Sequence, residues 1–487
     1  MPSKEPLFLS ADDAVGLVKD GDVVSVSGCL FNLVPEQLCV ALERRFLATG
    51  APSDLTLYHL NIFGFKAGTG IDRFAHRGMT RCMIGSSFPP YPWAADSPTT
   101  RLIVQEEIEA IALPAGVIAD NFRATGAGKP GFVTRVGLRT FVDPRLAGGR
   151  LNMRGRSTTS WKSPTLVTCG GSEMLHFAAQ PIQVSFIHAS AADTDGNVSF
   201  EDEPLLQSAV SQAMATRASG GKVIVQVQRV VPGGALDHRL VKLPSLLADV
   251  IVVEPAQAPF AYGLMPREAG FCGAARGLES PAVASPPRSP DTFIGMRAVL
   301  EIATGDRVNL GAGVPVKELP ARIVARGLHD RIDLTIDHGS LGGVNVGGLL
   351  AGTHWNPTAL FDSNQIYEYY AGSGLDITFL GAAEIDGKGN VNVARSGDVA
   401  PGIGGFIDIA EAAKTIVICS TLRREGLDVK VTGGQLRVAS EGRKAKFVRE
   451  VEFVCLCAER LAGLGKRILY VTERAVFEYR DQGPCPG

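Results

Sequence analysis

One carboxylate stands out among the residues of this chain that could do chemistry. The segment LTIDHGSLGGV at 334–344 ends an apolar run in Asp337 and passes at once into a glycine turn. In open α/β sheets ligands bind beyond the carboxyl ends of the strands, where glycines let the backbone turn away and lie close to a substrate. That is how an α/β protein presents a reactive side chain to a ligand. A lone aspartate after a strand also serves as a turn-former or cap, so its neighbours must decide. His338 follows directly. Strand alternation puts Leu334, Ile336 and His338 on one face and Thr335 with Asp337 on the other, which argues against a direct Asp337–His338 dyad. The eight histidines, including His59, His76, His176 and His188, show no HxH or HExxH spacing, so no metal is expected. GAGVP lacks the third glycine of a dinucleotide fingerprint.

The elements that must carry Asp337 recur along the chain. Gly21-Asp22 opens GDVVSVSG and Gly305-Asp306 opens GDRVNLGAG; Asp54 opens DLTLYH and Asp333 opens DLTIDH; Gly196 opens GNVSF and Gly389 opens GNVNV. The first two pairs are separated by nearly equal spans and the third by a much shorter one, so the first half carries a large insertion. His59 and Tyr58 stand in the places of His338 and Asp337. The histidine can therefore serve the shared fold, and the repeat predicts one carboxylate site rather than two. Apolar β-branched runs (VVSVS, KVIVQVQRVV, TIVIC) alternate with helix-like runs such as PEQLCVALERRF and PVKELPARIVARGL, which implies doubly wound α/β domains with mainly parallel sheets. GLESPAVASPPRSPD at 277–291 cannot continue a helix or a central strand. The expected organisation is an N-terminal α/β domain at 1–276 with the insertion, a linker at 277–291, and a C-terminal α/β domain at 292–487 that carries Asp337.

Bulk properties bound the function. The chain has 487 residues, 45% hydrophobic and 20% charged, enough for two domains with their own cores. A formal charge of -2 makes no electrostatic case for nucleic acid or an anionic membrane. Nine cysteines, odd in number and without paired spacing, suit a reducing compartment; Cys455 and Cys457 read as one face of a strand rather than a metal clip. No long apolar run and no basic, apolar leader is seen, so the expected location is the cytoplasm.

From Leu17 to Glu478 the chain resembles the single-chain family I acyl-CoA transferases of the propionate or short-chain acyl-CoA type. The likeness rests on PEQLCVALERRF, GKPGFVTRVGLRTFVDPRLAGGRLN, VIVQVQRVV, LDHRLVKLP, NLGAGVP, GLDITFLGAAEIDGKGNVNV, GIGGFIDIA and LYVTERAVF, in that order, together with the segment around Asp337. It implies two tandem, similar CoA-transferase-like (NagB/RpiA-like) α/β domains. It also implies a coenzyme A thioester as substrate, a carboxylic acid as its partner, no permanently bound cofactor, and a homo-oligomer. In the family a strand-end glutamate attacks the thioester, giving an anhydride and then an enzyme–CoA thioester. By position that nucleophile is Asp337. The same resemblance assigns backbone contacts with substrate to Gly311 and Gly313 of NLGAGVP, to Gly339, Gly342 and Gly343 of the catalytic turn, and to Gly404 and Gly405 of GIGGF. Lys388 and Asn390 of GKGNVN would lie near CoA, unless that segment is simply a solvated turn.

Several positions depart from the family pattern. Aspartate replaces glutamate at 337, and Ala115 in LPAG replaces an oxyanion glutamine. Cys29, Leu30, Phe31, Asn32 and Leu33 replace small residues, which should reshape an acyl pocket bounded by Cys29, Phe31, Asn32 and Ala115. Arg139 replaces a glycine, Asn345 replaces the proline of the Gly-Gly-Val-Pro turn, and the C-terminal tail that the resemblance leads one to expect is missing or shortened. Losing an oxyanion donor costs about 10²–10³ in rate, and misplacing a reacting atom by about 1 Å costs on the order of 10²-fold. Three readings therefore stay open: CoA transfer through Asp337, thioester hydrolysis (or a related lyase or C–C cleavage) with Asp337 as general base, and non-catalytic binding of a CoA ligand. Phe31, Phe63, Phe65 and FPPYPW at 88–93 would either wall the acyl pocket or pack the core.

Overall fold

The computed structural model of the chain describes residues 7–64, 66–89, 96–157, 162–257, 267–272, 278, 283, 285–347, 352–480 and 483–486. Two large sheets carry the architecture. In the first, β1 (Leu7–Leu9), β2 (Val23–Val26), β3 (Leu55–His59), β4 (Thr80–Gly85), β5 (Glu109–Ala112), β6 (Val184–Asp193), β7 (Lys222–Val231) and β8 (Val250–Val253) lie in the order β1-β8-β7-β6-β2-β3-β4-β5. Every neighbouring pair on that path is parallel. The second holds β9 (Arg307–Leu310), β10 (Asp333–Thr335), β11 (Ser340–Leu341), β12 (Ala359–Leu360), β13 (Ile377–Gly381), β14 (Thr415–Cys419), β15 (Arg467–Val471), β16 (Val476–Arg480) and β17 (Gly483–Pro486), in the order β12-β11-β10-β9-β13-β14-β15-β16-β17. Its five central strands are parallel and its edges antiparallel. Parallel strands are covered on both faces, which is why VVSV, KVIVQVQRVV and TIVIC read as nearly continuous apolar runs.

Alternation along these strands sorts the core. Phe186, Ile224, Val250 and Val252 of the first sheet share one cluster with Leu380, Ile416, Ile418, Ile468 and Tyr470 of the second. The opposite faces stay separate, with Ile187, Ala189, Val225 and Ile251 in one cluster and Val308, Leu310, Phe379, Val417 and Leu469 in another. The inner faces of the two sheets thus belong to a common core.

The repeat is visible atom by atom. Asp22 O accepts from Thr56 N–H where β2 meets β3, and Asp306 O accepts from Asp333 N–H where β9 meets β10. DTDGN at 193–197 and DGKGN at 386–390 fold into the same turn. Asp193 Oδ1 accepts from the N–H groups of Asp195 and Asn197, and Asp386 Oδ1 from those of Lys388 and Asn390. Between β3 and β6 the first half inserts β4, β5, a long helix and an antiparallel sheet of Gly131–Thr134, Ser172–Ala178 and Thr165–Cys169. The switch in strand order falls at β2, between β6 and β3, and at β9, between β13 and β10. Loops leaving those two strands therefore border the crevices where ligands bind.

Five helices matter to the site: α1 (Glu36–Thr49), α2 (Ala115–Gly126), α3 (Val314–Ala325), α4 (Ser363–Ser373) and α5 (Phe406–Ala412). Two expectations need correction. Pro290 and Asp291, the last residues of the expected linker, begin a helix at Pro290–Ala298, since proline at a first helical position gives up no hydrogen bond. Cys455 and Cys457 do not share a strand face, because Cys457 caps the helix Ala458–Gly463. All nine cysteines are free thiols. Arg139 sits at φ 56°, the left-handed backbone that a glycine adopts without strain.

Candidate active site

Asp337 lies just past β10, whose last residue is Thr335. The chain turns there, with Gly339 N–H bonding Ile336 O at 2.9 Å, so strict strand alternation stops short of His338. Thr335 and Asp337 nevertheless face one helix together. Tyr370 of α4 donates its hydroxyl to Thr335 Oγ1 at 3.0 Å, and Tyr367, one turn earlier, donates to Asp337 Oδ2 at 3.1 Å. The helix is phased by a capping box: Asp362 accepts from Gln365 N–H at 2.8 Å, and Gln365 Oε1 accepts from Asp362 N–H at 2.9 Å. Burial, then the carboxylates of Asp337 and Asp408, push the Tyr367 phenol well above its ordinary value, so it stays a proton donor.

The GIGGF segment closes over the same carboxylate. Gly405 caps α5, and a Cβ built on it would lie 2.5 Å from both Asp337 Oδ2 and the Tyr367 oxygen. Glycine is required there by close approach. Gly404, at φ 54°, faces open space on its Cβ side. The segment is held by the first half: Ile403 and Gly404 donate to Ser86 O at 2.7 and 2.8 Å, and Gly404 O accepts from Ala115 N–H at 3.0 Å. Ala115 is fully buried at the start of α2, and its methyl group offers no side-chain hydrogen-bond donor. Gly116 N–H donates to Asp408 Oδ2 at 3.1 Å. Burial pushes the Asp408 carboxyl well above the usual range, and burial raises nearby Asp120 to about 6.

The changed loop after β2 reaches the site from the other side. Cys29 and Asn32 exchange backbone hydrogen bonds, and Leu30 and Leu33 hold φ 53° and 58°. Bulky side chains resist this region, at a cost of about 1–3 kcal/mol each. The surroundings fix it: Leu30 N–H donates to Ile62 O, Gly64 N–H to Leu30 O, and the Ser27 hydroxyl to Leu33 O. Phe31 packs with Phe271, Cys272 and Trp355, and Trp355 stands edge-on to Phe271 with ring centroids 5.0 Å apart. Cys29 meets His338. Burial works against protonation of this imidazole, but Cys29 and Asp337 outweigh it and lift its pKa to about 10.

The other proposed site residues divide. Gly313 opens α3 at φ 91° with nothing beside its Cβ position, whereas Gly311 is pressed against Leu380 and Phe379. Gly339, Gly342 and Gly343 make room for their own surroundings: a Cβ on each would strike, respectively, Phe361 O at 2.1 Å, the Thr358 hydroxyl at 2.4 Å and Trp355 O at 2.3 Å. Asn390 spends its amide on Asp386, at 3.1 Å, and Lys388 is exposed, 4.0 Å from Glu450. Asn345 pairs with His354 and accepts from Gly347 N–H at 3.0 Å, a role proline could not fill. Phe63 and Phe88 are core residues packed on His59. Phe65 and residues 90–93 lie outside the described residues. His59 and Tyr58 are buried in the first half. Tyr367 and Asp408 were not anticipated; the DSNQ capping box fixes the phase of α4, but nothing local says which strand end it faces.

No group of residues suited to hold a metal ion occurs among the described residues. Among them, too, no helix is long and apolar enough to cross a membrane.

The chain is similar to known proteins over nearly its whole length. A family described as coenzyme A transferase matches residues 8–254. The chain is 33% identical over 484 residues to caffeate CoA-transferase of Acetobacterium woodii, covering 97% of this chain and 89% of that protein. It superposes on the apoenzyme crystal structure of acyl-CoA transferase YdiF from Escherichia coli O157:H7 with a TM-score of 0.90 and 31% identity, covering 99% of this chain and 90% of the other. Against the same enzyme solved as a thioester complex with CoA, the TM-score is 0.89 at 30% identity, with 99% and 89% covered. With two largely parallel sheets, this family match and this identity over nearly the whole chain, the protein belongs to the coenzyme A transferase family.

Proposed function

We propose that this enzyme moves CoA between two carboxylic acids through a covalent thioester on Asp337. One oxygen of Asp337 attacks the acyl-CoA carbonyl carbon; the carbon–sulfur bond breaks, and CoA leaves as thiolate from an acyl–aspartyl anhydride. The thiolate then attacks Asp337 Cγ, and the acyl group departs as a carboxylate carrying the attacking oxygen. An acceptor carboxylate reverses both steps. The observation that carries this reading is the placement of the carboxyl: past a strand end, partly exposed, with one oxygen held by Tyr367. A relative solved as a CoA thioester supports it. The hydrolytic reading needed room for a water beside the shorter acid, and the Tyr367 hydroxyl with the close approach of Gly405 counts against that room.

CoA thioester is the substrate, with no resident cofactor, and the loop at 29–33 together with Ala115 shapes the acyl side. Gly313 and Gly404, open on their Cβ sides, and Lys388 are the positions we assign to contact with the CoA arm. We extend the reading to a homo-oligomer in the cytoplasm, where nine free thiols suit a reducing medium.

Incubation with an acyl-CoA and borohydride or hydroxylamine, followed by mass analysis, should find the modified residue at Asp337. Asp337→Ala should keep its fold and lose turnover. CoA release without acceptor and without an adduct would replace transfer by hydrolysis; equal turnover in the variant would remove Asp337 from the mechanism.

A further inference from the structure

We propose that Tyr367 is a catalytic residue, donating its hydroxyl to the Asp337 oxygen that carries negative charge when CoA attacks the aspartyl carbon. The inference rests on Asp337 being the nucleophile and adds the group that stabilises its tetrahedral intermediates.

The two oxygens of Asp337 are not equivalent. Oδ2 accepts from Tyr367 at 3.1 Å and lies against the bare Cα of Gly405. Oδ1 is therefore the oxygen that attacks and later departs with the acyl group, while Oδ2 stays bonded to Cγ throughout. It is a carboxylate oxygen at rest, the carbonyl oxygen of the anhydride and of the CoA thioester, and the oxyanion whenever thiolate or carboxylate adds to Cγ. When thiolate adds, the Cγ–S bond forms and the carbonyl electron pair moves onto Oδ2. When the adduct collapses, that pair re-forms the carbonyl and the Cγ–Oδ1 bond breaks. No proton needs to leave Tyr367; its hydrogen bond shortens as charge arrives.

The surroundings suit this task. Tyr367 is buried beside Asp408, whose own carboxyl is occupied by Gly116 N–H. A phenol held neutral there can act toward Asp337 as a donor. Such a donor, fixed before reaction in a site of low dielectric, costs no reorganisation when charge develops. The shorter acid fits the same picture. With aspartate at 337 the carboxyl is held one methylene closer to its strand, and the Tyr367 hydroxyl is what meets it there.

The test is single-turnover formation of the enzyme–CoA thioester in wild type and Tyr367→Phe, followed by quenched mass analysis of the Asp337 peptide. In the variant the adduct should still form on Asp337, on the order of 10²-fold more slowly, with the KM for acyl-CoA within about twofold. Circular dichroism and urea unfolding check that the variant is folded. Infrared spectra of the CoA adduct, with aspartate labelled at its carboxyl carbon, give a second readout independent of rate. The thioester carbonyl band should move to higher frequency when the tyrosine hydroxyl is lost. An adduct formed at the wild-type rate, or an unmoved carbonyl band, overturns the role of Tyr367 while leaving Asp337 as nucleophile. No adduct on Asp337 in the wild type overturns the nucleophile and this role with it.

Discussion

Gly405 stands so close to Asp337 that a methyl group on it would sit 2.5 Å from the Oδ2 atom, and equally near the hydroxyl of Tyr367. Neither neighbour is the end of a long flexible chain. Gly405→Ala should therefore push the carboxyl aside by about 1 Å, and a displacement of that size costs on the order of 10²-fold in rate. Steady-state assays should show the loss mainly in kcat, and urea unfolding a destabilisation of about 1–3 kcal/mol from the overpacking.

Asp337→Glu places the family's longer acid in a site closed around a shorter one. The added methylene runs into Tyr367 and the backbone at Gly405, so acceptor-dependent transfer should fall by about 10²-fold rather than rise. Adding Tyr367→Phe removes the hydroxyl donor as well, so the double variant should be no faster than Asp337→Glu alone, which the same assay measures. A single Asp337→Glu variant faster than wild type would mean that reach limits this enzyme.

His59 gives a pH dependence of stability. It is fully buried, with Nδ1 3.0 Å from Asn61 O and, among the described residues, no partner for Nε2. Burial lowers its pKa from 6.5 to about 4, against a smaller opposing effect from the Asn61 carbonyl. The unfolded chain takes up this proton below about pH 6.5 and the folded chain only below about pH 4. Its contribution is thus complete above pH 6.5 and is lost as the pH falls toward 4, at about 1.4 kcal/mol per pH unit. Between pH 7 and 4.5, urea-unfolding free energy should drop about 2–3 kcal/mol more in wild type than in His59→Asn.

Arg139→Gly should stabilise the protein. The arginine holds φ 56° with its side chain exposed, so the change removes backbone strain of about 1–2 kcal/mol. Glycine gives back about 0.5–1 kcal/mol in unfolded-state entropy. The net gain, about 0.5–1 kcal/mol, is readable by urea unfolding.

Much of this architecture was legible in the sequence because it depends on short-range rules. KVIVQVQRVV and TIVIC form the strands their apolar β-branched runs imply, and the anchors at Gly21 and Gly305 open equivalent strands. The departure at Arg139 marked a position with left-handed backbone. What escaped depends on how distant segments meet. Alternation could not be carried to His338, because the chain leaves the strand two residues before Asp337. Asn390 shows the same limit from the other side: its motif pointed toward substrate, yet its amide completes a turn that also occurs at 193–197, where Asp193 plays the part of Asp386. Tyr367 is 30 residues from Asp337 in sequence, and only the packing of α4 against β10 brings the pair together.

Because the inner surfaces of both sheets merge into one apolar mass, and Phe271 and Cys272 pack with Phe31 and Trp355, the halves are held together by more than the peptide link between Val253 and Pro290. A gene severed there would yield two polypeptides, each sticky when made alone, that rebuild the cleft when produced together. Covalent continuity then serves stoichiometry: every aspartate leaves the ribosome with its own cradle.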